Sequence, residues 1–237
     1  VNHMTWVITA FLLGQTISLP IFGKLGDQFG RKYLFMFAIA LFVVGSIIGA
    51  LAQNMTTLIV ARALQGVAGG GLMILSQAIT ADVTTARERA KYMGIMGSVF
   101  GLSSILGPLL GGWFTDGPGW RWGLWLNVPI GIVALIAIAA LLKLPVQERG
   151  KVTIDWLGSI FMAIATTAFV LTVTWGGNEY EWGSPIIIGL IVTTIVAAIV
   201  FVFVEKRAVD PLVPMGLFSN RNFVLTAVAG IGVGLFM

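Results

Sequence analysis

The 237 residues are 57% apolar and only 10% charged, carry a formal net charge of +4, and include no cysteine. Soluble domains carry about 25% charged residues, so the composition excludes a soluble globule and points to an all-α polytopic membrane protein. The lack of thiols excludes disulfides and thiolate metal sites.

Apolar runs predict membrane-spanning helices near 4–23, 34–52, 58–81, 92–115, 122–142, 156–175 and 186–204. Each has roughly the 17–25 residues needed to cross ~30 Å of hydrocarbon. Alternating ten-residue amphipathic strands, the mark of a membrane barrel, are absent from the sequence. An eighth run starts at Phe223 and reaches Met237, where a helix would have risen only ~22 Å. The sequence opens at Val1 with no initiator Met and no signal-peptide n-region, so an interior fragment of a longer protein is expected.

The positive charge does not read as a nucleic-acid surface. Of fourteen Lys and Arg, three fall in 24–32, three in 87–91, three in 143–151 and three in 206–221. The intervening loops hold only Arg121, and Arg62 alone falls inside a span. By the positive-inside rule the loops 24–32, 82–91, 143–155 and 205–222 are cytoplasmic and residue 1 is outside. Seven of the eight tryptophans, all but Trp156, then lie near the outer face. This aromatic belt is an independent sign of the same topology.

The first two spans are joined by Gly23-Lys24-Leu25-Gly26-Asp27-Gln28-Phe29-Gly30-Arg31-Lys32. Its three glycines permit a tight turn with positive φ, so a charged hairpin is expected. Asp27 can cap the following helix or pair with Arg31, while Lys24 and Lys32 face anionic headgroups. A generic positive-inside turn would not require this order of residues.

The order resembles the G-x-L-x-D-R-x-G-R-K signature of the major facilitator superfamily, matched at Gly23, Leu25, Asp27, Gly30, Arg31 and Lys32. Gln28 replaces the usual arginine and brings no charge for a salt bridge. The resemblance implies a partial superfamily helical bundle. It also implies a conformational latch in which Asp27 and Arg31 cluster with an acid at the cytoplasmic end of the fourth helix, the place of Asp82.

Span 58–81 contains Arg62-Ala63-Leu64-Gln65-Gly66-Val67-Ala68-Gly69-Gly70-Gly71. An arginine at mid-membrane costs on the order of 2.5–3.5 kcal/mol. Arg62 therefore either snorkels to the outer interface or lines a watery cavity beside Gln65 and Gly69, which share its helical face. It stays charged, so it would tune a proton-carrying acid without carrying the proton. Drug:proton antiporters of the superfamily are similar here, with R-x-x-Q-G, which favours the cavity and assigns Arg62, Gln65 and Gly66 to proton coupling. The glycine cluster is not a dinucleotide fingerprint, because no strand precedes it.

In span 92–115, Gly94, Gly97, Gly101, Ser104, Pro108 and Gly111 recur every three or four residues and leave one helix face nearly bare. Small residues let membrane helices approach closely, and Pro108 removes a backbone donor. With Gly107 and Gly112, the run Gly-Pro-x-x-Gly-Gly resembles the antiporter signature of the fifth helix. That resemblance implies an exporter and makes this face the surface across which the two halves rock.

Trp120-Arg121-Trp122-Gly123-Leu124-Trp125-Leu126-Asn127-Val128-Pro129-Ile130-Gly131 is similar to W-R-W-x-F-x-x-N-x-P-x-G of fourteen-helix drug:proton antiporters. Asn127 and Pro129 suggest an irregular outer helix end. Twelve-helix members have a long cytoplasmic linker next, whereas here 143–155 is short and a further helix pair follows. The chain is thus identified as helices two to eight and the start of nine of a fourteen-helix antiporter. Residues 1–142 hold helices two to six of the N-terminal bundle. Residues 143–205 hold an inserted pair, starting at Asp155-Trp156-Leu157-Gly158, and 206–237 lead into the C-terminal bundle.

The expected function is proton-driven efflux of lipophilic or cationic small molecules by alternating access, with no cofactor beyond the proton gradient. About 100 mV moves one proton with ~2.3 kcal/mol, enough for roughly a 50-fold gradient of a neutral solute. No Asp, Glu or His lies in the middle of a span, so the coupling acid is expected outside this sequence, with the family pointing to helix one. An exporter of an endogenous metabolite or lipid, and a non-transporting membrane scaffold or sensor, remain as alternatives. An enzyme is not expected, since no nucleophile–base pair appears.

Overall fold

A computed structural model describes residues 2–144, 155–208 and 211–236, and the chain divides into two compact units between residues 152 and 153. Most of the basic loop 143–155, with Arg149 and Lys151, lies outside the described residues, as do Val209, Asp210 and Met237.

The first unit contains α1 (Asn2–Phe29), α2 (Arg31–Ala50), α3 (Met55–Val83), α4 (Ala86–Asp116), α5 (Arg121–Trp125) and α6 (Asn127–Leu141). The second contains α7 (Trp156–Trp175), α8 (Pro185–Arg207), a 3-10 turn (Met215–Ser219) and α9 (Arg221–Phe236). Among the described residues, seven helical segments are long and apolar enough to cross a membrane, α5 and α6 together forming one of them.

Several helices outrun their apolar runs. The expected hairpin at 23–32 is instead a one-residue break: α1 continues through Gly23 and Gly26 to Phe29, and only Gly30, with φ +97°, leaves the helix. Lys and Arg at the helix ends are good helix formers, so hydropathy marks the hydrocarbon and not the helix. α4 likewise starts at Ala86 with a Thr85–Glu88 capping box, which satisfies two orphan donors reciprocally. Between α5 and α6 the chain breaks at Leu126, because Pro129 has no N–H to give the carbonyl of Trp125.

α1 and α3 form the closest helix pair of the first unit. A methyl at Gly66 would land on the Phe11 carbonyl, one at Gly70 on Ser18 and Gln15, and one at Gly71 on the Phe22 ring. Reciprocally, a methyl at Gly14 would sit 2.7 Å from the Ala63 oxygen. Small residues on both helices thus bring the backbones together. The partners ascend together in both sequences, so α1 and α3 run parallel, and α2, which links them in sequence through short turns, runs antiparallel to both. Gly45 carries α2 onto Gln65 of α3 in the same manner, and Phe22, Ala38 and Leu75 close a core with Leu34, Phe35 and Leu72.

In the second unit α7 packs on α8. Asp155 caps α7 at Gly158 N (2.8 Å) and Ser184 caps α8, with Pro185 in its first turn. The connection turns on Gly177 (φ +76°), over which Trp182 packs. Glu205 of α8 is 2% exposed, and its carboxylate accepts the backbone N–H groups of Leu212 (3.2 Å) and Val213 (3.3 Å). It thereby folds the following segment back against the helix pair.

Substitution of Gly70 by Val is expected to destabilise the protein by about 1–3 kcal/mol through overpacking. Gly23→Ala, where the added methyl meets Ile74 at an ordinary 3.5 Å, should be neutral or stabilising because a helical glycine costs about 0.8–1 kcal/mol relative to alanine. Thermal unfolding midpoints in detergent measure both.

Candidate functional site

The charged positions at the α1–α2 break converge on the end of α3. Arg31, in the first turn of α2, donates through Nη2 to Asp27 at 2.7 Å and through Nε to the same oxygen at 3.2 Å. Its Nη1 reaches across to Asp82 Oδ1 and to the Ala78 carbonyl, the latter at 3.1 Å. Asp27 therefore pairs with Arg31 and does not cap α2, whose N-cap is Gly30 with no side-chain bond. Asp82 is 18% exposed and Asp27 58%, so the Asp82 arm is less screened by solvent. Gly26 makes the approach possible, since a methyl there would sit 2.6 Å from Leu75. Gly23 is an ordinary helical residue with no such constraint.

Lys32 departs from its expected role. Its Nζ donates to the carbonyls of Ala139 (3.0 Å) and Leu142 (2.6 Å) at the end of α6, so it neutralises a helix C-terminus instead of facing headgroups. Arg89 does the same for the Ala81 carbonyl of α3 (3.1 Å), and Arg121 for Ala52 just after α2 (2.8 Å). Sequence reading faced Lys32 to the headgroups and placed Arg89 and Arg121 only in loops; their positions opposite helix ends were not visible without the packing.

Arg62 is half-buried and held by neighbours from two helices. Its Nη1 donates to Gln65 Oε1 at 2.9 Å, and its guanidinium lies 4.4 Å from the centre of the Phe11 ring. Gln65, expected beside water, is 0% exposed in the α2–α3 contact, where its amide donates to Ser46 at 2.7 Å. Gly66 is likewise buried, against α1. The reason is local: the same small residues that suggested a water-lined face let α1 and α2 close over it.

The α4 residues Gly97, Gly101, Gly107, Gly111 and Gly112 share one property: a methyl on any of them would meet nothing within 4 Å in the described residues. α4 runs unbroken through Pro108. Beside it is a cavity of about 750 Å³, its polar lining formed by Gln15, Ser76, Gln77 and Asn127 and its apolar lining by residues such as Met93 and Phe100. Amides and a hydroxyl amid apolar walls suit a small, largely apolar molecule.

Residues 1–237 match the model of the Major Facilitator Superfamily. The chain belongs to the Major Facilitator Superfamily. It is 42% identical over 233 residues to an uncharacterized MFS-type transporter of Mycobacterium tuberculosis, covering 98% of this chain and 34% of that protein. It is 37% identical over 237 residues to the multidrug transporter protein MdtP of Bacillus subtilis, covering 99% and 44%. It is 42% identical over 224 residues to the efflux pump dotC of Dothistroma septosporum, covering 92% and 38%. The chain thus spans less than half the length of these curated relatives. As a superfamily member with seven spans it is a multi-pass protein of the plasma membrane.

Two site features escaped sequence reading altogether. Ser46 and Phe11 hold the Arg62 group, yet each is an ordinary residue of its span, and only the α1–α3 and α2–α3 contacts bring them there. For the charge cluster, Asp82→Asn is expected to cost about 1.5–3 kcal/mol, the range for hydrogen bonds to charged groups. Asp27→Asn should stay within about 1 kcal/mol, as for exposed pairs. Denaturation midpoints of the two variants against the parent protein test the order.

Proposed function

We propose that the chain is the part of a fourteen-helix drug antiporter that contains helices two to eight and the start of nine, and that the whole protein exports small lipophilic or cationic molecules in exchange for protons. The observation that carries this reading is the Arg31 bridge. One guanidinium joins the α1–α2 break to the end of α3 through two carboxylates, a contact that can be made in one conformation and released in another. As a latch of Gly23, Asp27, Gly30, Arg31, Lys32 and Asp82 it would hold the cytoplasmic side closed. That requires residue 1 to be outside and the loops 24–32, 82–91, 143–155 and 205–222 inside. The relatives named for multidrug transport and efflux support the same direction of transport.

Substrate would bind near the bilayer midplane between two bundles that rock alternately. Residues 1–142 form most of one bundle, 143–205 the inserted helix pair, and 206–237 lead into the other. The bare face of α4, from Gly97 to Gly112 with Pro108 in its outer half, is the sliding surface. Arg62, with Gln65 and Gly66 behind it, tunes the proton-carrying acid, and no cofactor or enzymatic step is required. The cavity beside α4 supports a neutral lipophilic substrate, including an endogenous one, over a strictly cationic drug, because its polar lining is amide and hydroxyl.

Ethidium and antibiotic efflux by the full-length protein in an efflux-deficient host, with and without a protonophore, tests the reading. Protonophore-sensitive export is expected, and export indifferent to the protonophore would sink proton coupling. Gly97→Leu should abolish transport while membrane insertion persists. Retained transport would remove the sliding face.

A further inference from the structure

The polar atoms around Arg62 have only one possible order. Arginine donates and never accepts, so the group facing it on Gln65 must be the amide oxygen, at 2.9 Å. The Gln65 amide NH₂ then faces Ser46, whose oxygen accepts at 2.7 Å. The Ser46 hydroxyl hydrogen is left to donate, and it does so to the Phe42 carbonyl at 2.9 Å, one turn back on α2. Gln65 and Ser46 are both 0% exposed, so water cannot replace a missing partner and a reversed amide would set two donors against each other.

The far side of the guanidinium is fixed by a different helix. Phe11 of α1 places its ring 4.4 Å from Arg62 Cζ, a separation at which the ring quadrupole attracts a cation. Two glycines make these approaches possible. A methyl at Gly66 would collide with the Phe11 backbone, and one at Gly45 would lie 2.9 Å from Gln65 Cγ. Phe11 of α1 and Gln65 of α3 meet Arg62 directly, and Ser46 of α2 reaches it only through Gln65; none of the three is titratable, and among the described residues no carboxylate forms an ion pair with Arg62.

From this arrangement we infer that Ser46, acting through Gln65, and Phe11 are positioning residues that hold the Arg62 guanidinium in one orientation. The consequence for transport rests on the antiporter reading above. A cation near an acid favours the ionised form and lowers its pKa. Releasing Arg62 lets the pKa of the acid it tunes rise, so the pH–rate profile should move upward.

The test uses the full-length protein with Phe11 replaced by 4-fluorophenylalanine, whose ¹⁹F resonance reads the charge over the ring. Arg62→Met defines the shift for a lost cation. Ser46→Ala should move the resonance at least half-way to it, and Ser46→Thr, which keeps the hydroxyl, should restore the parent position. If Ser46→Ala does not elute as monodisperse protein, Ser46→Cys takes its place, similar in volume with a much weaker acceptor. An unmoved resonance in the folded variant overturns the positioning role. Protonophore-sensitive ethidium efflux from vesicles is then measured against pH. The Ser46→Ala profile should lie about 0.5–1 pH unit above the parent, a fraction of the 1–3 units a neighbouring guanidinium can impose. A shifted resonance with an unshifted profile overturns the link to coupling. Absence of such efflux from the unmutated protein counts against the antiporter reading alone, and the resonance still decides the positioning role.

Discussion

The contact between α1 and α3 sets everything else in the first unit. Two parallel helices touch backbone to backbone where Gly66 and Gly70 meet Phe11 and Gln15, and where Gly14 meets Ala63 and Val67. In a membrane, lipid tails are as apolar as leucine, so close packing and not exclusion from water favours helix association. The glycines define a register in addition to an affinity. At one end that register lays the Phe11 ring against Arg62; at the other it sets the α1–α2 break beside the end of α3, where Arg31 of α2 joins Asp27 to Ala78 and Asp82. The two charged devices of the unit are the two ends of one helix pairing, so a shift of α1 along α3 by a single turn, ~5.4 Å, would break both.

How much of this was legible in the sequence depended on whether solvent or a neighbour imposed the constraint. Hydrocarbon is a uniform requirement that every residue in a span meets alone, and so the spans, and the superfamily through residues 23–32, could be read off directly. Neighbour-imposed features could not. Gly23, Gly26 and Gly30 read as three equivalent turn residues, yet only Gly30 takes a positive φ, only Gly26 is needed for a close approach, and Gly23 is neither. Lys32 and Arg89 read as surface charges because the carbonyls they bind belong to helix ends distant in sequence or across a loop. Glu205 read as one charge in a loop; its burial follows from the backbone N–H groups of Leu212 and Val213, which no pattern in the sequence announces.

Arg62 shows the same division within one side chain. Its charge inside a span was the visible anomaly, and desolvation of that charge is the expected penalty. The compensation is distributed over three helices: a carbonyl oxygen from Gln65, an aromatic face from Phe11, and a serine that fixes which way the glutamine points. None of these partners is itself unusual in a membrane helix. Buried polar chains of this kind favour one arrangement because each member has a single compatible orientation, whereas a partly satisfied chain is worse than none.

The two glycine stripes then differ in what meets them. In helices a glycine costs about 0.8–1 kcal/mol relative to alanine, so a run of them needs compensation from a close approach. On α3 the compensation is present inside the unit, in the backbone of α1. On α4 the glycines from Gly94 to Gly112 carry the same cost per residue but meet nothing within 4 Å among the described residues. A stripe read from sequence says that a backbone can approach and is silent on whose backbone it is. With α3 accounted for by α1, the α4 face stays open to another helix, as the sliding surface proposed above requires.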